Sequence, residues 1–191
     1  YGALPVQSFP LDSAGRAAFE QALPFQFTGA QARASSAILA DLAGERPMSR
    51  LLQGDVGSGK TAVAANAMWA VVNNGAQAAM MAPTEILAEQ HLRKLRPWLE
   101  SIGVSIAWLA GSLKESAKKA VRAKAAAGEV DLLIGTHALV EGSVTFARLG
   151  LAIVDEQHRF GVAQRLALRG KAAGVNGQAL NLPHQLMMSA T

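Results

Sequence analysis

The sequence predicts an α/β protein: an open parallel sheet with helices on both faces. Three observations carry that prediction. Six short apolar runs alternate with helix-like segments, the order that builds parallel sheets through crossover helices. Several of the runs are apolar nearly throughout, as strands covered on both faces must be. One run leads into a glycine-rich turn and then a segment of strong helix formers, a strand–loop–helix unit. The runs fall at 50–53, 78–82, 104–109, 131–135, 150–154 and 185–189.

Taken in order, residues 1–24 differ from the rest. Pro5, Pro10 and Pro24 punctuate a short helical candidate at 13–23, which reads as a lead-in from an upstream domain outside the core. Residues 25–191 then form the domain. Thr28 and Gln31 have capping-box spacing and open a helix. After the first run comes a helix over 62–72. In 84–100, Ala88, Leu92, Leu95 and Leu99 share one stripe at helical period, with Thr84 as N-cap. Residues 113–127, rich in alanine and lysine, form a helix ended by Gly128, with Ser112 and Glu115 spaced as a second capping box. Lys114, Lys118 and Arg122 make a basic stripe that reads as a solvated face. Trp69, Trp98 and Trp108 lie in helix- or strand-like segments and read as core. The stretch 169–183 has glycines and few large apolar residues, the composition of a mobile loop.

Composition sets limits. A chain of 191 residues, 50% hydrophobic and 17% charged, is globular and long enough for one domain with a substantial core. It has no cysteine, which excludes disulfides and thiolate metal sites. Its four histidines have no metal-ligand spacing. No apolar stretch is long enough to span a bilayer, and no charged leader opens the chain. The first residue is Tyr1, so the chain reads as an excised piece. A net charge of +4 and a pI near 9.8 mildly favour an anionic partner.

The most specific signal is Gly54-Asp55-Val56-Gly57-Ser58-Gly59-Lys60-Thr61, a complete phosphate-binding loop. Gly54, Gly57 and Gly59 let backbone N–H groups, with that of Ser58, turn inward around phosphates where a Cβ would obstruct. Lys60 supplies a point charge to the β- and γ-phosphates, and the Thr61 hydroxyl is a ligand for Mg²⁺. The helix that follows adds its own attraction for anions. Such a loop needs a carboxylate to complete the metal site and a base to direct water. The run ending at Val154 is followed by Asp155 and Glu156. Two acids at a strand end are ordinarily a solvated loop. Beside a phosphate loop in the same sheet, Asp155 becomes the Mg²⁺ carboxylate and Glu156 the general base.

The phosphate loop and six further segments carry a family resemblance. The others are Thr28-Gly29-Ala30-Gln31, Ala82 to His91, Gly111-Ser112-Leu113-Lys114, Gly135-Thr136-His137-Ala138-Leu139, Asp155 to Val162, and Ser189-Ala190-Thr191. In this order they resemble the first RecA-like motor domain of superfamily 2 helicases, and more closely the bacterial RecG family of ATP-dependent DNA helicases. The string Asp155-Glu156-Gln157-His158-Arg159-Phe160-Gly161-Val162 is much more specific than a bare acidic pair.

The resemblance implies a P-loop NTPase of RecA-like fold that couples ATP hydrolysis to remodelling of branched DNA in fork rescue, recombination and repair. It implies that Gln31 reads the adenine edge, a role compatible with capping. Thr84, Gly111, Ser112, Gly135 and Thr136 would grip successive DNA phosphates, Gln157 and His158 would relay the γ-phosphate state, and Ser189 and Thr191 would couple hydrolysis to strand movement. The partners implied are DNA, a second RecA-like lobe carrying an arginine, and a fork-recognition domain, all in the bacterial cytoplasm and with no membrane. An arginine of that kind contributes roughly 10³–10⁵ in rate, so a lone lobe is expected to bind nucleotide with little turnover. Two other readings stay open at this point: a different P-loop enzyme such as a kinase, and a non-catalytic binding module. Nothing beyond the loop and the acidic pair points to a kinase acceptor pocket. The intact Lys60, Asp155 and Glu156 argue against a degenerate site.

Overall fold

The computed structural model describes residues 9–23, 26–44, 49–53, 58–82, 84–109, 113–136, 146–155 and 184–189. The elements run α1 (Ser13–Ala22), α2 (Gly29–Leu42), β1 (Ser49–Gln53), α3 (Ser58–Asn73), β2 (Gln77–Met81), α4 (Glu85–Glu100), β3 (Ile106–Leu109), α5 (Glu115–Ala127), β4 (Leu132–Gly135), β5 (Leu149–Asp155) and β6 (His184–Ser189). All six apolar runs are strands. They form one sheet in the order β1-β6-β5-β2-β4-β3, and every pairing is parallel.

The alternation of side chains along the strands builds two cores. Leu52, Ala78, Met80, Leu132, Ile134, Leu151, Ile153, Leu186 and Met188 face the larger one, with α1 to α4. Ala79, Met81, Leu109, Leu133, Ala152 and Val154 face the other, against Ala125 and Val121 of α5. A period of two on strands covered on both faces explains why their sequences are apolar without alternation. Helix α3 is buried along 61–71. It lies between the sheet on one side and α1 and α2 on the other, so its sequence has no polar face to show. Helix α5 stops where expected, at Gly128 with φ of 79°, a left-handed C-cap that glycine adopts without steric cost.

Two expectations need correction. Residues 9–23 are not peripheral to the core. Phe9, Leu11, Phe19 and Leu23 are buried in the same cluster as the sheet. The Phe9 N–H donates to the Leu42 carbonyl at 2.8 Å, the Trp69 indole donates to the Gly15 carbonyl at 2.9 Å, and Asn74 Nδ2 donates to the Pro10 carbonyl at 2.8 Å. The segment carries apolar side chains that still need burial. Helix α5 also starts later than capping by Ser112 requires. Its N-cap is Lys114, with ψ of 151° and no side-chain cap, so Glu115 is the first helical residue. Of the tryptophans, Trp69 and Trp98 are buried and Trp108 packs against the main core, as expected. The stretch 169–183 lies outside the described residues.

Gly150 shows how tightly the N-terminal segment is seated. A Cβ there would come within 2.6 Å of Phe9 Cζ and 3.0 Å of Val71 Cγ1. Because the Phe9 ring is fully buried, it has nowhere to swing. Gly150→Ala is predicted to cost roughly 1–3 kcal/mol of stability through overpacking, read from urea unfolding. An unchanged midpoint would show that Phe9 does not rest on β5.

Candidate nucleotide and nucleic-acid site

Parallel pairing brings the carboxyl ends of all six strands to one edge. Gln53 pairs with Ser189, Asp155 with Met188, Met81 with Val154 and Gly135, and Leu109 with Gly135. Along that edge the phosphate-loop strand comes first, then Ser189, then Asp155. The strands leading to Thr84, Thr136 and the 110–112 segment follow. The loop strand β1 and the acidic strand β5 are separated by β6 alone, two interstrand steps or about 10 Å.

At the nucleotide end, residues 54–57 lie outside the described residues, and α3 begins at Ser58 with Gly59 next. Lys60 and Thr61 therefore sit in the first turn, where helix N–H groups have no intrahelical acceptor and the macrodipole is positive. Thr61 is buried and Lys60 half-buried. Asp155 ends β5 and is buried. Glu156, Gln157, His158 and Thr191 lie outside the described residues, and Ser189 is placed only as the last residue of β6.

Asp155 has a partner that sequence reasoning missed. His91 Nε2 lies 2.8 Å from Asp155 Oδ2, with the side chains only 12% and 5% exposed. A carboxylate can only accept, so the imidazole Nε2 is the donor. His91 lies on the inward side of α4, between Ala88 and Leu95. The signal was present in the sequence: a histidine flanking a buried stripe, next to Leu92, has to find a polar partner if it is enclosed.

The capping reading of Thr28 and Gln31 holds in full. Gln31 N–H donates to Thr28 Oγ1 at 3.2 Å, and Thr28 N–H donates to Gln31 Oε1 at 2.8 Å. An amide has two lone pairs on Oε1 and two protons on Nε2, so the cap leaves both protons for a ligand.

On the other half of the edge, Thr84 caps α4, its Oγ1 accepting from the Leu87 N–H at 3.2 Å. Thr84 is exposed, and Ile86 beside it is 71% exposed, the one exposed large hydrophobic among the described residues. The Gly135 carbonyl accepts from the Ala82 N–H at 2.9 Å, knitting β4 to the chain that enters α4. Thr136 is buried, whereas Thr84 is exposed. Gly111 and Ser112 lie outside the described residues.

Hard oxygen donors suit Mg²⁺, which takes one or two protein oxygens and fills the rest of its shell with phosphate and water. The Thr61 hydroxyl and the Asp155 carboxylate are such a set. Among the described residues there is no cluster of three or more His, Cys, Asp or Glu that would hold a metal by protein ligands alone. The donors fit a metal that arrives with its nucleotide.

Residues 28–191 match the DEAD/DEAH box helicase family. The chain belongs to that family. It is 53% identical over 169 residues to the ATP-dependent DNA helicase RecG of Pasteurella multocida, covering 88% of this chain and 24% of the relative. It is 52% identical over 169 residues to RecG of Aquifex aeolicus, covering 88% and 21%. A solved structure of RecG bound to a three-way DNA junction aligns with a TM-score of 0.82 at 39% identity, over 98% of this chain and 24% of that one. The helicase MrfA, solved with DNA and AMPPNP, shares the fold at a TM-score of 0.70 and 16% identity, covering 99% and 28%. The chain thus spans about a quarter of the length of the RecG relatives it matches.

Among the described residues, no helix of this helicase domain is long and apolar enough to cross a membrane. The cap at α2 can be tested separately from any ligand. Gln31→Glu retains an acceptor at the third helical position and is expected to keep stability within about 0.5 kcal/mol, whereas Gln31→Ala loses about 0.5–1 kcal/mol. Thermal unfolding of the two variants distinguishes them, and equal losses would contradict the capping geometry.

Proposed function

We propose that this chain is the ATP-binding motor lobe of a RecG-like DNA helicase. In that reading residues 25–191 form the first RecA-like domain, and the parent protein adds a second lobe and a fork-recognition domain. The observation that carries it is the register of the sheet. It sets Lys60 and Thr61, Ser189 and Asp155 on one half of a single edge, and Thr84, Gly135 and Thr136 on the other. The identity to RecG supports the substrate assignment.

ATP binds with its phosphates in the Gly54–Thr61 loop at the start of α3. Lys60 places its ammonium on the β- and γ-phosphates, and the helix N-terminus holds the same charge with backbone N–H groups. Thr61 and Asp155 would hold Mg²⁺, which would supply charge neutralisation to the phosphates. Glu156 accepts the proton of the attacking water, and Gln157 and His158 sense the γ-phosphate. The free Nε2 protons of Gln31 donate to the adenine edge.

Branched or single-stranded DNA crosses the other half, with phosphates at the N-terminus of α4 beside Thr84 and at Gly111, Ser112, Gly135 and Thr136. Contacts of this kind carry no base information and weaken with salt. Exposed Ile86 lies where a sugar or base would pass. Ser189, at the end of β6, and Thr191 couple hydrolysis to strand movement. The activity belongs to the bacterial cytoplasm and to replication-fork rescue, recombination and repair.

The test is Mg-ATP binding and turnover by this chain, with and without a three-way DNA junction. Nucleotide binding with negligible turnover is expected, because the transition-state arginine resides in the second lobe. Robust junction-stimulated turnover would contradict the half-motor reading. Gln31→Glu is expected to weaken ATP binding while leaving stability unchanged. Unaltered ATP affinity in that variant would remove Gln31 from the adenine site.

A further inference from the structure

We propose that His91 is a positioning residue that orients the Asp155 carboxylate and links it to the nucleic-acid-facing start of α4. The inference rests on the reading of Asp155 as a metal carboxylate.

The bond itself is the first argument. His91 Nε2 donates to Asp155 Oδ2 over 2.8 Å, and both side chains are nearly enclosed. A carboxylate held at one oxygen by a buried donor cannot rotate freely, so its other oxygen is presented in a fixed direction. Outer partners of this type set the geometry of metal-holding groups.

Packing alone does not account for a histidine here. Its neighbours along the inward stripe, Ala88, Leu95 and Leu99, are fully buried apolar residues. A leucine would widen the stripe that Leu92 already fills, while an imidazole costs stability unless it is hydrogen-bonded. The position is polar because Asp155 lies opposite.

The third argument is mechanical. His91 follows Thr84 by seven residues on one helix, about 10 Å at 1.5 Å per residue. Buried Ala88, Leu95, Trp98 and Leu99 seat α4 on the core, so it moves as a unit. Strand β2 leads into α4 and pairs directly with β5, which ends in Asp155. A phosphate drawn to the start of α4 therefore displaces or steadies the donor that holds the metal carboxylate. The connection runs through one helix and one hydrogen bond.

The test uses the full-length protein with His91→Leu, which fills the stripe but lacks a donor, and His91→Gln, whose Nε2 reaches about as far as the imidazole Nε2. The readout is affinity for a fluorescent ATP analogue, first in EDTA and then across a Mg²⁺ series, with and without single-stranded oligothymidine. His91→Leu is expected to keep the wild-type affinity in EDTA and to need about 10-fold more Mg²⁺ for half-saturation. Oligothymidine should lower the Mg²⁺ requirement in the wild type and in His91→Gln, but not in His91→Leu. An identical Mg²⁺ series in all three proteins would overturn the positioning role, and an oligothymidine response retained in His91→Leu would overturn the link. If the wild type shows no Mg²⁺-dependent nucleotide binding, the motor-lobe reading itself fails and the proposal falls with it.

Discussion

Parallel strand pairing is the constraint on which everything else depends. It forces the connection between successive strands to cross back over a face of the sheet, which covers both faces with helices and buries the strands. It also sends every strand's carboxyl end to the same edge. The start of α3, Asp155, Ser189 and the start of α4, far apart in the sequence, are gathered into one row by that single rule. The order β1-β6-β5-β2-β4-β3 then sorts the row. The proposed nucleotide contacts occupy the first three strands and the proposed nucleic-acid contacts the last three.

The boundary between the halves lies between β5 and β2, and there the structure supplies a physical connection. Asp155 belongs to one half by strand and to the other by its hydrogen bond to His91 of α4. A motor has to make phosphate chemistry depend on the grip of its track. A helix with one end at the proposed track and its middle on the proposed metal carboxylate meets that requirement without any large rearrangement within the lobe. The pair is short and enclosed.

Much of this was legible in the sequence, for physical reasons that differ by element. The six strands were readable because doubly covered strands have no polar face to disguise them. Helix α4 was readable from its stripe and from Thr84, whose hydroxyl caps it as its chemistry predicts. The capping box at Thr28 was readable because it is entirely local. What was missed depends on contacts distant in sequence. Phe9 belongs to the core only because Gly150 leaves room for its ring, and no local pattern records that fit. His91 and Asp155 are 64 residues apart, and their pairing exists only once β2 and β5 are neighbours. Ser112 failed as an N-cap for the opposite reason. The local spacing was correct, but the N-cap of α5 is Lys114, two residues further on.

The most direct measurement of the divided edge is amide hydrogen exchange on this chain, with Mg-ATP and with single-stranded DNA added separately and together. The first N–H groups of a helix have no intrahelical partner, so a ligand held there slows their exchange. Nucleotide is predicted to protect the start of α3 and the end of β5, and DNA the start of α4 and the chain following β4. Protection of the start of α3 by DNA alone, or of the start of α4 alone by nucleotide, would contradict the division.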